Sequence, residues 1–313
     1  RENDRHRRMT NTSSKLKKLY VIGNGFDLWH GIPSSYREFK SFVKEHDRDL
    51  FDAVETYLGA EEDWSDLESA LASINMDSVI EDLDHFMVSY AADDWSDAYH
   101  HDFQYEVERV VERLSATLRI HFGKWIRQLA IPNRFSAGKR LQSIDANGLF
   151  LTFNYTATLR ERYGVPDTHV LHIHGCADLE DSALILGHAW NPQTRKSLND
   201  REDIEEIDTR LMEANRILDD YFSATFKPSE QLIQRNRPFF DRLLDIQEVC
   251  VLGHSLSDVD APYFKALLAV PGVSSARWSI ACRSDSDQSD KQERLQALGV
   301  DASRFVPTSW DDM

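Results

Sequence analysis

Apolar residues along this chain follow two rhythms. Short, nearly unbroken runs occupy residues 19–22, 149–152, 170–174, 183–186, 249–252, 278–282 and 304–306. Runs without alternation suit strands buried on both faces, as in a parallel sheet covered by helices on each side. After the first run the period changes. Tyr36, Phe39 and Phe42 recur at helical spacing, as do Leu50, Phe51, Val54 and Leu58. Val107, Val111, Leu114 and Leu118 do the same, followed by Phe122, Trp125, Ile126 and Leu129. Residues 36–145 are too many for one crossover helix, so the pattern predicts a helical insertion after the first strand, packed on the sheet as a lid. A second helical stretch covers residues 200–243. The expected fold class is α/β: a Rossmann-like, mostly parallel sheet flanked by helices, within a domain spanning residues 19–313.

Composition narrows the partners. The chain has 313 residues, 41% of them apolar, with seven Trp and sixteen Phe, enough to build a large core. No apolar run approaches the roughly 18–20 residues that span a bilayer, so no membrane partner is expected. The net charge is −17, yet residues 1–18 hold seven basic and two acidic side chains, which leaves −22 on the remainder. Phosphate backbones are gripped by Lys and Arg, so nucleic acid is not the expected main partner. A small molecule or another protein fits better. Residues 1–18 lack the apolar middle of a secretion signal and read as a disordered basic tail. Cys176, Cys250 and Cys282 lie far apart without a C-x-x-C pair. They offer neither a disulfide framework nor a four-cysteine zinc site, and they fit a reducing cytoplasm.

Most of the stronger apolar runs lead into a polar or glycine-bearing turn: GNGFD, FNYT, HGCAD, GHAWN and GHSLSD. That puts turn chemistry at the C-terminal ends of strands, where open α/β sheets bind ligands. Gly23-Asn24-Gly25-Phe26-Asp27 could let backbone approach a pyrophosphate, or form a tight corner with Asp27 capping a helix. Leu28 stands where a third glycine would complete G-x-G-x-x-G, so the dehydrogenase version fails. Asn154 could cap a helix, or hold a ribose hydroxyl or a water. His172 and His174 share a strand face and would need His188, His254 or an acid to hold a metal; otherwise they are core groups. His174, just before Gly175, is the better placed for acid–base work. Gly253, Ser255 and Asp258 could cap a helix or bind adenosine ribose or phosphate. Glu68 falls on a helical face with Trp64 and Leu71, either at its solvated margin or buried for a reason.

The order IGNGFD, an acidic W-x-x-L-E segment, TFNYT, HIHG, LGH and GHSLSD resembles the AbiH-type bacteriophage abortive-infection family, from about Leu19 to Phe264. That family in turn resembles sirtuin-like NAD-binding domains of bacterial defence systems. The resemblance implies NAD or a related nucleotide held at Gly23, Asn24, Gly25 and Gly175, and the turns add Phe26, Asp27, Gly253, Ser255 and Asp258 as further binding candidates. It further implies cleavage of the nicotinamide–ribose bond by Asn154 and His174; Glu68 is the insertion's candidate for the same site, and the isolated cysteines lead us to expect no metal. Three departures stand out. Thr156 replaces the Asp usual after Asn-Tyr, Asp27 stands where a small polar residue is commoner, and the four-cysteine zinc module of protein deacylases is absent. Thr156 keeps open the alternative of a nucleotide-sensing module that acts through a defence partner protein. A metal-dependent hydrolase or nuclease using His172 and His174 is a third class. A phage-derived trigger and a homo-oligomer also remain open.

Overall fold

The structure of the protein is a computed structural model that describes residues 17–89, 97–179 and 183–313. In these residues the apolar runs become β1 (Lys18–Ile22), β2 (Leu149–Thr152), β3 (Val170–His172), β4 (Glu248–Leu252), β5 (Arg277–Cys282) and β6 (Phe305–Ser309). All neighbours pair in parallel, in the order β3-β2-β1-β4-β5-β6. Successive side chains divide between two cores. Leu19, Val21, Leu151, Val249, Val251, Trp278 and Ile280 pack with Phe239, Phe240, Tyr263, Phe264 and Leu267. Tyr20, Ile22, Phe150, Cys250, Leu252 and Ala281 pack on the other side with Phe26, Leu159, Tyr163 and Trp310. Burial on both faces is why the runs do not alternate.

The chain lays down β1, β2 and β3 in one direction, then returns to place β4 on the other side of β1. The order therefore reverses between β1 and β4. Sheets of this order open a ligand crevice at that point, outside the carboxyl ends of the strands.

The insertion contributes helices Tyr36–His46, Arg48–Tyr57, Leu67–Ala70, Met76–Leu83, Asp97–Glu112 and Leu118–Gln128. Side chains fix several starts: Asp47 accepts the Leu50 amide at 2.9 Å, and Asn75 accepts the Ser78 amide at 3.1 Å. Phe39, Leu50, Val54, Trp64, Val107, Leu114 and Phe122 form their own core, which also takes in Leu218 and Tyr221 of helix Thr209–Ala224. The first helix of the second helical stretch thus belongs to the insertion, and Tyr221 Oη donates to the Leu71 carbonyl at 3.0 Å. Tyr155, three residues past β2, is buried in this same core. The helical module consequently sits over the C-terminal edge of the sheet.

Three expectations need correction. Residues 183–186 are not a strand. Their apolar character serves packing instead: Leu186 is buried in the helical core, while the Ile185 amide donates to the His174 carbonyl at 2.9 Å. The third strand ends at His172, because beyond it the chain turns at Gly175 (φ 92°). The boundary of the basic tail also moves. Lys18 opens β1 and pairs with Glu248 at 3.1 Å, and Lys17 bonds Asp245 at 2.8 Å. Residues 1–16 of that tail lie outside the described residues.

Candidate functional site

Strand register brings the turns together. Ile22 sits level with Thr152 on one side and Leu252 on the other, and Thr152 sits level with His172. The turns that follow therefore start side by side. The Gly23 amide donates to Leu252 O at 3.0 Å, and the Gly25 amide donates to Gly253 O at 2.8 Å. Gly253 adopts φ 72°, and a Cβ there would lie 2.1 Å from the Phe26 nitrogen. A Cβ on Gly23 would meet His254 Cα at 2.5 Å. These glycines let the β1 and β4 turns close on each other, and both amides are already committed. Neither is free to hold a phosphate.

Above the turns lies a cavity of about 560 Å³, within the size range of small-molecule sites. The sheet side supplies Asp27, Asn154, Thr156, His174, His254 and Asp260; the helical module supplies Tyr36, Glu68, Phe122 and Lys227. Asp27 is buried, with Thr156 Oγ1 donating to Oδ2 at 2.6 Å and Thr158 Oγ1 donating to Oδ1 at 2.7 Å. Burial pushes its carboxyl up to about 6, against the opposing pull of the two hydroxyls and Asn154. The Asn154 side chain also donates to Gly23 O at 3.2 Å, so one carboxamide ties β2 to the β1 turn. The two departures at Asp27 and Thr156 are thus direct partners.

His174 is 2% exposed, its Nε2 lying 3.2 Å from Tyr263 Oη. Burial and the Lys227 charge hold the imidazole well below its ordinary pKa, so the ring is neutral at physiological pH. Close by, His254 accepts the Leu256 amide at Nδ1 (2.9 Å), which leaves the proton on Nε2 to donate to Asp260 Oδ2 at 3.3 Å. That amide belongs to a left-handed residue, Leu256 at φ 57°, so the imidazole steadies a strained turn. Burial alone would raise the Asp260 carboxyl, but the His254 bond and the Lys227 charge outweigh it and hold the group well below the usual range. Lys227 itself is 2% exposed. Its ammonium pairs with Glu68 and lies 3.9 Å from Asp260 Oδ1, an oxygen with no hydrogen-bond partner. Tyr36 Oη donates to the other Glu68 oxygen at 2.5 Å. A chain of charges thus runs from the insertion through Lys227 to the β4 turn.

Of the residues singled out from sequence, Gly23, Asn24, Gly25, Asp27, Glu68, Asn154, His174, Gly253 and Ser255 line this one cavity. Phe26, Gly175 and Asp258 do not. Phe26 is a fully buried core ring beneath the turn, 4.5 Å from the His30 ring. Gly175 makes the corner after β3, and Asp258 opens a short helical turn whose last residue, Asp260, reaches the cavity instead. Glu68 does face the site, but not through a long amphipathic helix. Trp64 precedes the short helix Leu67–Ala70 in a left-handed conformation (φ 58°), and its indole N–H donates to Glu55 at 2.7 Å.

Among the described residues the metal reading finds no donor set. His172 bonds the Asn154 carbonyl at 3.1 Å, His188 bonds the Phe222 carbonyl at 3.1 Å, and His254 is occupied as above. Among the described residues no three His, Cys, Asp or Glu groups cluster as a metal site. Sequence reasoning missed Tyr36, Lys227, Asp260, Tyr263 and Arg283. Asp260 lay within the GHSLSDVD turn and Arg283 directly after an apolar run, so position alone could have flagged both. Lys227 and Tyr36 carried no local signal.

The sheet order, the reversal between β1 and β4 and the ionisable groups gathered there define an α/β protein with a cavity at its switch point. Residues 19–282 match the family described as bacteriophage abortive infection AbiH, and the chain belongs to that family. Its role is in phage abortive infection. No curated protein and no solved structure matches the chain. No helix among the described residues is long and apolar enough to cross a membrane.

Proposed function

We propose that the switch-point cavity binds NAD or a closely related nucleotide and hydrolyses the bond between nicotinamide and ribose. The observation that carries this reading is the meeting of Asn154 and His174 with the β1 and β4 turns around one cavity. In the reaction the C1′–N bond breaks and its electron pair passes to the pyridinium nitrogen, so nicotinamide leaves neutral. The sugar carbon becomes oxocarbenium-like, by analogy with glycoside hydrolysis, and water oxygen bonds to C1′. A base takes the proton that water loses. Neutral His174 suits proton acceptance from a ribose hydroxyl or from that water, and Asn154 suits orientation of the ribose. Loss of NAD in the cytoplasm would then arrest an infected cell.

Incubation of the purified full chain with NAD, followed by product analysis, tests the reading: free nicotinamide supports it. A second reading has its own support. The His174 ring is enclosed and already bonded to Tyr263, a poor starting point for proton transfer. NAD bound without nicotinamide release would make the protein a nucleotide sensor that signals to a defence partner or responds to a phage-derived trigger.

A further inference from the structure

A nucleotide brings phosphate into this cavity, and the Gly23 and Gly25 amides cannot meet its charge. The Gly23 and Gly25 amides both donate to β4 carbonyls. Lys227 is paired with Glu68. Lys291 donates to the Ala281 carbonyl at 2.7 Å and to Asp287 at 3.0 Å. Arg294 bonds Asp290 at 3.0 Å. Arg283 is different: its backbone amide donates to Asp287 at 2.8 Å, but its guanidinium has no hydrogen-bond or ion-pair partner among the described residues.

Arg283 stands directly after β5, and its guanidinium reaches back over the β1 turn. A Cβ on Gly25 would lie 2.9 Å from Nη2, so glycine at this position makes room for the guanidinium as well as for the β4 turn. Asp287 feels the Arg283 charge, but neither it nor Asp290 bonds the guanidinium. Asp287 is matched by Lys291 and Asp290 by Arg294, each one helical turn apart. The side of the cavity next to β5 therefore keeps a planar cation with its donors unused, the geometry that suits a phosphate's paired oxygens.

We propose that Arg283 anchors the phosphate of the nucleotide bound in the switch-point cavity, making the site selective for phosphorylated ligands over nucleosides. This rests on the nucleotide reading above but not on hydrolysis. Isothermal titration of the full chain with ADP-ribose, ADP and adenosine tests it, comparing wild type with Arg283→Ala and Arg283→Lys. The side chain is exposed, so the variants should keep the wild-type melting midpoint. The expected result is an affinity for ADP-ribose and ADP that falls about ten- to a hundredfold in Arg283→Ala, with adenosine unchanged. Arg283→Lys should recover part of that loss, because it restores charge without the fork. Phosphate-independent binding, or ADP-ribose binding unaltered in Arg283→Ala, overturns the anchor and leaves the NAD reading standing. Binding that depends on Arg283 with no nicotinamide release from NAD supports the anchor while removing hydrolysis. No binding of any of the three by wild type overturns both.

Discussion

Replacing Lys227 with methionine removes the ammonium that lies between Glu68 and Asp260 while keeping much of the side chain's volume. Lys227 is 2% exposed and Asp260 13%, whereas Glu68 is 21% exposed and can recruit water. Most of the cost should therefore fall on Asp260, whose Oδ1 already lacks a hydrogen-bond partner. Removing one partner of a buried pair costs about 3–5 kcal/mol. With an unfolding entropy of about 2 cal/mol/K per residue, a chain of this length should lose about 5–8 °C in melting midpoint. The pH dependence has a definite sign. Depressed in the folded state, Asp260 contributes stability above its unfolded value of 3.8 and loses it as pH falls through the folded value. Without Lys227 that depression shrinks, so the deficit of Lys227→Met should stay level from about pH 7 to about pH 4 and narrow only as pH falls further, below 3.8. Adding Asp260→Asn should recover part of the lost stability at neutral pH. Scanning calorimetry across this range measures all three. A variant melting within about 1 °C of wild type at neutral pH would show that the Glu68–Lys227–Asp260 chain does not join the helical module to the sheet.

Two further variants probe the turns. Asp27→Asn should stabilise the protein at about pH 8 by as much as about 3 kcal/mol and have little effect at about pH 4, because the raised carboxyl opposes folding only once ionised. Its unfolded and folded values, 3.8 and about 6, set the window in which the difference develops; equal denaturation midpoints at both ends would refute it. Gly253→Ala should cost several kcal/mol and loosen both the β1 and β4 turns, since the new Cβ would lie 2.1 Å from the Phe26 nitrogen at φ 72°. Urea titration showing a loss below about 1 kcal/mol would mean that the two turns can part without penalty.

The strands were legible because their signal is local. Val249, Cys250 and Val251 must satisfy a core on each side, and an unbroken apolar run is the direct consequence. Residues 183–186 imitate that signal for another reason, as Leu186 is buried under the helical module and not in a sheet. In the site, Asp27, Asn154 and His174 were legible as polar residues just past apolar runs, where parallel strands deliver them to one edge. Their partners were not. Lys227 meets Glu68 across 159 residues, and Thr156 and Thr158 meet Asp27 across 129 and 131. No window of sequence contains such pairs. The glycine turn shows the same limit: its spacing suggested a phosphate cradle, and only the approach of Gly253 reveals where the Gly25 amide points.

Hydrolysis of NAD at the switch point is tested by measuring nicotinamide release by wild type and His174→Ala, each with and without lysate of phage-infected cells. Wild type should release nicotinamide in at least one condition and the variant at a rate lower by about 10²–10⁴-fold, with ADP-ribose binding retained through Arg283. His172→Ala, one pleat back and bonded to the Asn154 carbonyl, should change stability more than rate. Wild type that releases no nicotinamide in either condition, or His174→Ala that releases it at the full rate, would rule out hydrolysis through His174.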